Sequence, residues 1–400
     1  MKIGIVTNLY PPDARGGAEL VAQRVADALY ERGHEVFVLS TQPYDGLRSL
    51  FPRIRERTLE AVYRFFPLNL YYLRDDRSIP FPVRLLWHVI DLFSIGGARA
   101  IRSVIRDENP EIIITHNLKG IGVSIGHEIQ KQHVPHIHVL HDVQLSIPSG
   151  LLLYGQEDSW LNRSFLRTWY ERGVHREIGS PDLVLSPSSF LLEFYHARGL
   201  FVETRSEVLP NPLPPDTVML RTERFTSRTQ FLYVGQLEEH KGIRELLDAF
   251  DQVGEGMELH IAGEGSLADV VSARSELNTN VSFHGFVSLN HLIRLLKTTD
   301  AVIVPSTCYE NSPTVIYESF LVGVPVIATR IGGIPELIQE GETGVLVTPG
   351  DIDDLARAMK EVHQDRDKWW GKGKAIRKQA EQYSISNYVD RLEQFIQELV

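Results

Sequence analysis

Short apolar runs alternate with amphipathic stretches along the whole of this chain. "KIGIVTNL" opens as a buried strand. "AELVAQRVADALYERGH" follows with apolar residues at helical spacing, and Gly33 marks its predicted stop. "EVFVLST", "EIIITHN", "HIHVLHD", "DLVLSPS" and "EVLPN" continue as strands separated by helices. Such alternation predicts a parallel sheet covered by helices on both faces. The prolines of "LPNPLPPDT" (209–217) forbid helix and central strand and mark a linker. Alternation then restarts with "QFLYVGQL", "ELHIAG", "VSFHGF", "AVIVPS", "PVIAT" and "GVLVTP" as strands, and with predicted helices over 242–253, 289–298, 313–322, 335–340 and 351–363. The expected fold is α/β, with two doubly wound, Rossmann-like parallel-sheet domains over 1–210 and 211–380. A final helix within 381–400 is a candidate to cross back to the first domain; the pattern alone does not place it. Two such sheets facing each other would set their strand ends around one cleft, where ligands of these sheets bind.

Composition narrows this picture. A chain of 400 residues exceeds one ordinary core, and 43% apolar with 23% charged residues describes a globular protein. A net charge of −11 speaks against general nucleic-acid binding. The single cysteine, Cys308, excludes a disulfide framework and a cysteine zinc site, and fits a reducing cytosol. The N-terminus reads as a buried strand rather than a leader. No apolar run approaches the roughly 20 residues that cross a bilayer. Charge is uneven, however: 47–106 is rich in arginine (Arg48, Arg53, Arg55, Arg57, Arg64 among others) interleaved with Tyr63, Phe65, Phe66, Tyr71, Tyr72, Phe81 and Trp87. This segment is a candidate contact with an anionic membrane surface, which would make a cytoplasmic protein peripheral on the inner face of the membrane. The plainer alternative is a solvated helical face with its aromatics in the core.

Candidate chemistry lies just after the strands. Gly16 and Gly17 precede a helix, where their amides can approach an anion without a side chain intervening. His116 ends one strand; His138 lies inside the next and is expected to pack, whereas His141, followed by Asp142, lies at its end. No third ligand or His-Glu-x-x-His spacing accompanies them, so no metal is expected. Gly235 ends a strand of the second domain, and Lys241 stands at a helix start, the wrong sign for the helix dipole unless an anion sits between them. The Gly-x-Gly of Gly263 and Gly265 reads as a tight turn. In "YENSPTVIYES" (309–319), Ser312 is a predicted N-cap and Pro313 a predicted first helical residue, with Glu310 and Asn311 just ahead and Glu318 inside the helix. A phosphate could meet the helix amides while the carboxylates accept sugar hydroxyls. Equally, Glu310 could cap the helix and Glu318 face solvent.

Together these residues resemble the retaining glycosyltransferases of family 4, which have the GT-B fold. The similarity covers nearly the whole chain and is densest over 231–350: "VGQLEEHKGIRELL", "IAGEGSL", "FHGFVS", "DAVIVPSTCYENSPTVIYESFLVGVPVIATRIGGIPELI" and "GETGVLVTPGD". "YPPDARGGAEL" and the His-Asp after a strand also look like that family. The resemblance implies that Glu318 holds the nucleotide ribose and that Glu310 lies beside the donor sugar. Asn311, Ser312, Pro313 and Thr314 would offer backbone to sugar or phosphate. Lys241 would bind the diphosphate, with Gly17 closing on it from the other domain and Gly235 and Gln236 nearby, and His141 would hydrogen-bond the transferred sugar. Many members have an arginine where this chain has Gln236, which carries no charge. Arg244 is the candidate to compensate.

The resemblance implies transfer with retained configuration from a nucleotide-diphosphate sugar, a UDP- or GDP-sugar. The expected acceptor is a glycan or lipid-linked molecule, as in cell-envelope polysaccharide or glycolipid synthesis. The acceptor hydroxyl would attack on the leaving-group side and a phosphate oxygen would take its proton. No cofactor is expected, and with no Asp-x-Asp at a strand end the reaction is expected to need no metal. Two other readings remain open here: a nucleotide-sugar epimerase, and a non-catalytic sugar-nucleotide-binding protein.

Overall fold

The structure, a computed structural model, describes residues 1–13, 16–57, 61–160, 162, 164–213, 221 and 227–400. Ala14 and Arg15 of the Gly-Gly stretch, Glu60, and 214–217 of the linker stretch lie outside the described residues, as do the side chains of Arg55, Glu56, Arg57, Asp76, Arg77 and Phe81. The chain forms two units. One comprises Met1–Leu151, Asp158–Pro212 and Ile385–Val400, the other Leu152–Glu157 and Leu213–Ser384.

The first unit is built on β1 (Lys2–Val6), β2 (Glu35–Thr41), β3 (Arg53–Arg57), β4 (Ala61–Phe65), β5 (Ile112–Thr115), β6 (His136–Val139), β7 (Leu183–Ser186) and β8 (Ser206–Val208), in the order β3-β4-β2-β1-β5-β6-β7-β8. All pairings are parallel except β3 with β4. Strands such as Ile112–Thr115 are wholly buried, as a parallel strand covered on both faces must be. The helices Gly17–Glu31 and Ile385–Leu399 cover one face together: Val21, Val25 and Leu29 join Ile3, Ile5 and Ile114, and Val389, Leu392, Phe395 and Ile396 join the same core. Arg32 fastens the last helix through Asp390 (2.5 Å) and Glu393 (2.7 Å).

The interleaved aromatics of 47–106 divide. Tyr63, Phe65, Phe66, Tyr72 and Trp87 are buried, and Arg64 is buried with its guanidinium on the carbonyls of Tyr10 and Pro11. The exposed apolar side chains of this region include Leu47, Phe51, Leu86, Phe93 and Ile95, and Phe93 meets the exposed Trp169 edge to face. No helix among the described residues is long and apolar enough to cross a membrane.

The second unit carries β9 (Thr229–Val234), β10 (Met257–Ala262), β11 (Val281–Phe283), β12 (Ala301–Val304), β13 (Val326–Thr329) and β14 (Gly344–Val347), all parallel, ordered β11-β10-β9-β12-β13-β14. Each sheet reverses its winding direction at one place, between β1 and β5 in the first and between β9 and β12 in the second. A ligand crevice forms beyond the strand ends at such a switch point.

Candidate functional site

At the switch point of the second sheet, the loops after β9 and β12 bring two predicted residues together. Lys241 Nζ forms an ion pair with Glu310 Oε1. Ser306 Oγ donates to the same oxygen at 2.9 Å. Burial pushes the Glu310 carboxyl up, but the Lys241 ammonium beside it and the Ser306 hydroxyl hold it below the usual carboxylate range. Burial lowers Lys241 in turn, and Glu310 more than reverses this. Both groups are therefore charged at neutral pH. The anion that the misplaced lysine called for is the chain's own Glu310. Cys308, packed close by with Sγ 3.8 Å from Glu310, is pushed up to about 12 by burial and by that carboxylate.

Two glycines make this approach sterically feasible. Gly242 has φ +73°, and a Cβ there would meet the Pro305 carbonyl at 1.9 Å. Gly332 has φ +59°, and a Cβ there would meet the Glu310 carbonyl at 2.1 Å. That carbonyl accepts from the Gly333 N–H at 2.7 Å, so the glycine turn fixes the Glu310 backbone. The segment Leu152–Glu157 also belongs here. Leu153 bridges Cys308, the Tyr154 N–H donates to the Thr307 carbonyl at 2.9 Å, and Tyr309 OH donates to Glu157 at 2.8 Å.

The helix after Glu310 differs from its predicted start. It runs Thr314–Val322 with Pro313 as N-cap, because Pro313 at ψ 121° is still extended. Ser312 does not cap it; its hydroxyl pairs with Tyr317 OH at 2.6 Å. Asn311 is buried, and Glu318 is half-buried in the helix. Likewise the predicted helix from 242 starts at Ile243, after a single turn Glu239–Lys241 and the left-handed Gly242. The helix predicted over 335–340 is the shorter Ile334–Leu337. Gly235 donates its N–H to the Ala262 carbonyl at 3.1 Å, and the Gln236 carbonyl accepts from Tyr233 OH at 2.7 Å. Arg244 is engaged by both Glu239 oxygens at 2.9 Å.

The switch point of the first sheet holds a cavity of about 270 Å³ lined by Asn8, Glu19, Asn117, Lys119, Asp142 and Gln144, among others. Gly16 is the N-cap of Gly17–Glu31, and its N–H is taken internally by Glu19 Oε2 at 2.9 Å. Lys119 forms no ion pair among the described residues. Burial pushes Asp142 up to about 6, partly offset by the Gln144 N–H. Tyr195 OH donates to the Asp142 carbonyl at 2.6 Å and Tyr170 OH to the Gln144 carbonyl at 3.1 Å, pinning this loop. His141 stands beside it, its Nε2 2.9 Å from His116 Nδ1. Burial drives His141 down to about 4, so it is neutral at neutral pH. His138 packs inside the strand as predicted, bonded to Thr115 Oγ1 at 2.8 Å.

Comparison with known proteins decides the family. Residues 16–212 match the glycosyl transferase 4-like domain, and residues 220–383 match the glycosyl transferases group 1. The chain belongs to the GT-B glycosyltransferases. A glycogen synthase of Mycobacterium tuberculosis is 26% identical over 91% of this chain and 86% of its own. The sucrose-phosphate synthase of Thermosynechococcus elongatus superimposes with a TM-score of 0.79 at 20% identity, covering 100% of this chain and 98% of its own. Anabaena Alr3699/HepE in complex with UDP-glucose gives 0.72 at 20% identity, covering both chains fully. The protein is thus a glycosyltransferase.

In this glycosyltransferase several residues of the candidate site carry little signal in the sequence. Ser306 carried a weak signal, four residues before Glu310. Lys119 and Gln144 follow the strand-end His116 and His141 but match no motif, and Glu157 carries no signal, its partner Tyr309 being 152 residues away. Among the described residues no cluster of three metal-ligating side chains occurs.

Proposed function

We propose that this glycosyltransferase takes a UDP- or GDP-sugar, releases the nucleoside diphosphate without a metal, and attaches the sugar with retention to a glycan or lipid-linked acceptor. The observation that carries the reading is the Lys241–Glu310 pair at the switch point of the second sheet, directly ahead of the Thr314–Val322 helix. Breaking the anomeric bond leaves charge on the diphosphate, and preorganised charges and donors aimed at it are usually the largest catalytic term. Lys241 takes that role, aided by backbone amides between Asn311 and Thr314. Glu318 holds the ribose hydroxyls, Glu310 lies beside the sugar, and Gly17 offers its amide to phosphate. A UDP-glucose complex among the solved structures similar to this chain supports a nucleotide-sugar donor.

His141 donates to a hydroxyl of the transferred sugar. The cavity lined by Asn8, Asn117, Lys119, Asp142 and Gln144 is the acceptor's place. Its amides and carboxylates suit sugar hydroxyls, and its one lysine gives it a single cationic corner. The arginines of 47–106, with exposed Phe51, Phe93 and Trp169, would hold the enzyme to an anionic membrane. Charge reversal at Arg53, Arg55 and Arg57 then weakens sedimentation with phosphatidylglycerol vesicles, and unchanged sedimentation removes the membrane from the account.

The test is product analysis by NMR, with UDP- and GDP-sugars offered alone and with oligosaccharide or lipid-linked acceptors. The expected product keeps the donor's anomeric configuration and forms without added metal and in the presence of EDTA. An epimer formed from donor alone, or binding without turnover, replaces this reading with an epimerase or a non-catalytic binder. Gln236 and the engaged Arg244 make the second outcome worth the acceptor panel.

A further inference from the structure

Four histidines of the first unit gather on β5, β6 and the loops that follow them. His136 and His138 share the Thr115 hydroxyl at 2.8 Å each, inside the sheet. The other two face each other: His116 and His141 stack with ring centroids 5.2 Å apart and a single contact of 2.9 Å between His116 Nδ1 and His141 Nε2. One of those nitrogens must carry the hydrogen. A neutral imidazole has one N–H and one lone pair, so the choice fixes both rings.

The remaining nitrogen of His116 decides it. His116 is 1% exposed, and its Nε2 is buried without a hydrogen-bond partner among the described residues. If His141 donated from Nε2, His116 would have to accept at Nδ1 and hold its own hydrogen on Nε2. That would leave a buried N–H with no acceptor, the arrangement folded proteins avoid most strongly. If His116 donates from Nδ1, only a bare lone pair is left at its Nε2, and His141 Nε2 accepts. His141 then carries its hydrogen on Nδ1. Burial keeps both rings neutral, His141 at about 4 and His116 well below its ordinary value. Protonating both rings would put two hydrogens into the 2.9 Å contact.

We propose that His116 is a positioning residue that locks His141 as the Nδ1–H tautomer, so that His141 meets the sugar as a hydrogen-bond donor and not as a base. This rests on the reading that His141 touches the transferred sugar. Its consequence is chemical. With Nε2 committed to His116, His141 has no lone pair left to take the acceptor's proton, so that proton leaves by another oxygen.

The test uses the full chain labelled with ¹⁵N and long-range proton–nitrogen correlation, with the His141 signals assigned by their loss in His141→Gln. The expected native spectrum shows His141 protonated on Nδ1 and bare on Nε2. An Nε2–H His141 in the native chain overturns the proposal without any variant. Two variants of one shape then separate positioning from packing. His116→Asn places an amide N–H where Nδ1–H was; it is expected to keep the tautomer and most of kcat. His116→Asp places an acceptor there, which pulls the hydrogen of His141 to Nε2; kcat is expected to fall about 100-fold, as on loss of a preorganised donor, with the affinity for UDP unchanged. Equal losses in both variants mean that His116 only packs. The tautomer is read without turnover, so a native Nδ1–H His141 in a chain that transfers no sugar would sink the glycosyltransferase mechanism while leaving the His116 lock in place.

Discussion

Lys241 and Glu310 are 23% and 18% exposed, and each keeps the other charged. Removing one partner leaves a poorly solvated charge, which costs more than the pair itself contributes. Lys241→Ala is therefore expected to destabilise the enzyme by roughly 1–3 kcal/mol in denaturant unfolding, whereas Lys241→Ala with Glu310→Gln recovers much of that loss. Both are expected to abolish transfer. Asp91 tests a second buried carboxyl, behind the loop that carries Lys119. One oxygen accepts the Gly120 N–H at 2.8 Å, the other has no partner among the described residues, and burial lifts the group from its ordinary 3.8 to about 7. Between those two pH values the folded chain keeps a proton that the unfolded chain has released, so stability falls as pH rises through the window. Asp91→Asn removes that slope. It is expected to gain ~2–4 kcal/mol on the native chain at pH 8 relative to pH 4, and equal slopes in thermal or denaturant melts would contradict the burial argument.

At the scale of elements, legibility followed the range of the interactions. β12 is an unbroken apolar run and β5 is three isoleucines closed by Thr115, both bounded by turn signals, and the sequence marks them without help from neighbours. The start of Thr314–Val322 was misjudged because Ser312 looks like a cap, and only the fold brings Tyr317 OH to its hydroxyl. Lys241 was legible as misplaced, but its partner, 69 residues away, was not. The antiparallel pair β3–β4 was missed in a stretch where arginines interrupt the alternation; it exists because β4 also docks on the edge of β2. The last helix had an evident apolar stripe and no evident place. In the structure it completes the core over β1 and β5, so Phe395→Ala is expected to cost about 3–5 kcal/mol and to lower Tm, far more than a free tail would allow.

Over the whole molecule, the two sheets repeat one logic: each reverses direction once, and each sets a group of polar side chains there. The strand-end rule led to His141, Lys241, Glu310 and Glu318 from sequence, whereas the cavity of Asn8, Lys119 and Gln144 needed the fold, since three separate loops build it. The proposed acceptor is least legible in the chain, because hydroxyl recognition uses common side chains in no fixed spacing. The donor is the part most open to direct measurement. Isothermal titration of UDP- and GDP-sugars into the native chain, Lys241→Ala and Glu318→Ala tests the central claim. One nucleotide family is expected to bind the native chain, Lys241→Ala to weaken the diphosphate at least tenfold, about 1.4 kcal/mol, and Glu318→Ala to weaken nucleoside and nucleotide alike. Binding by Glu318→Ala equal to that of the native chain, or no binding of any nucleotide sugar by the native chain, would contradict it.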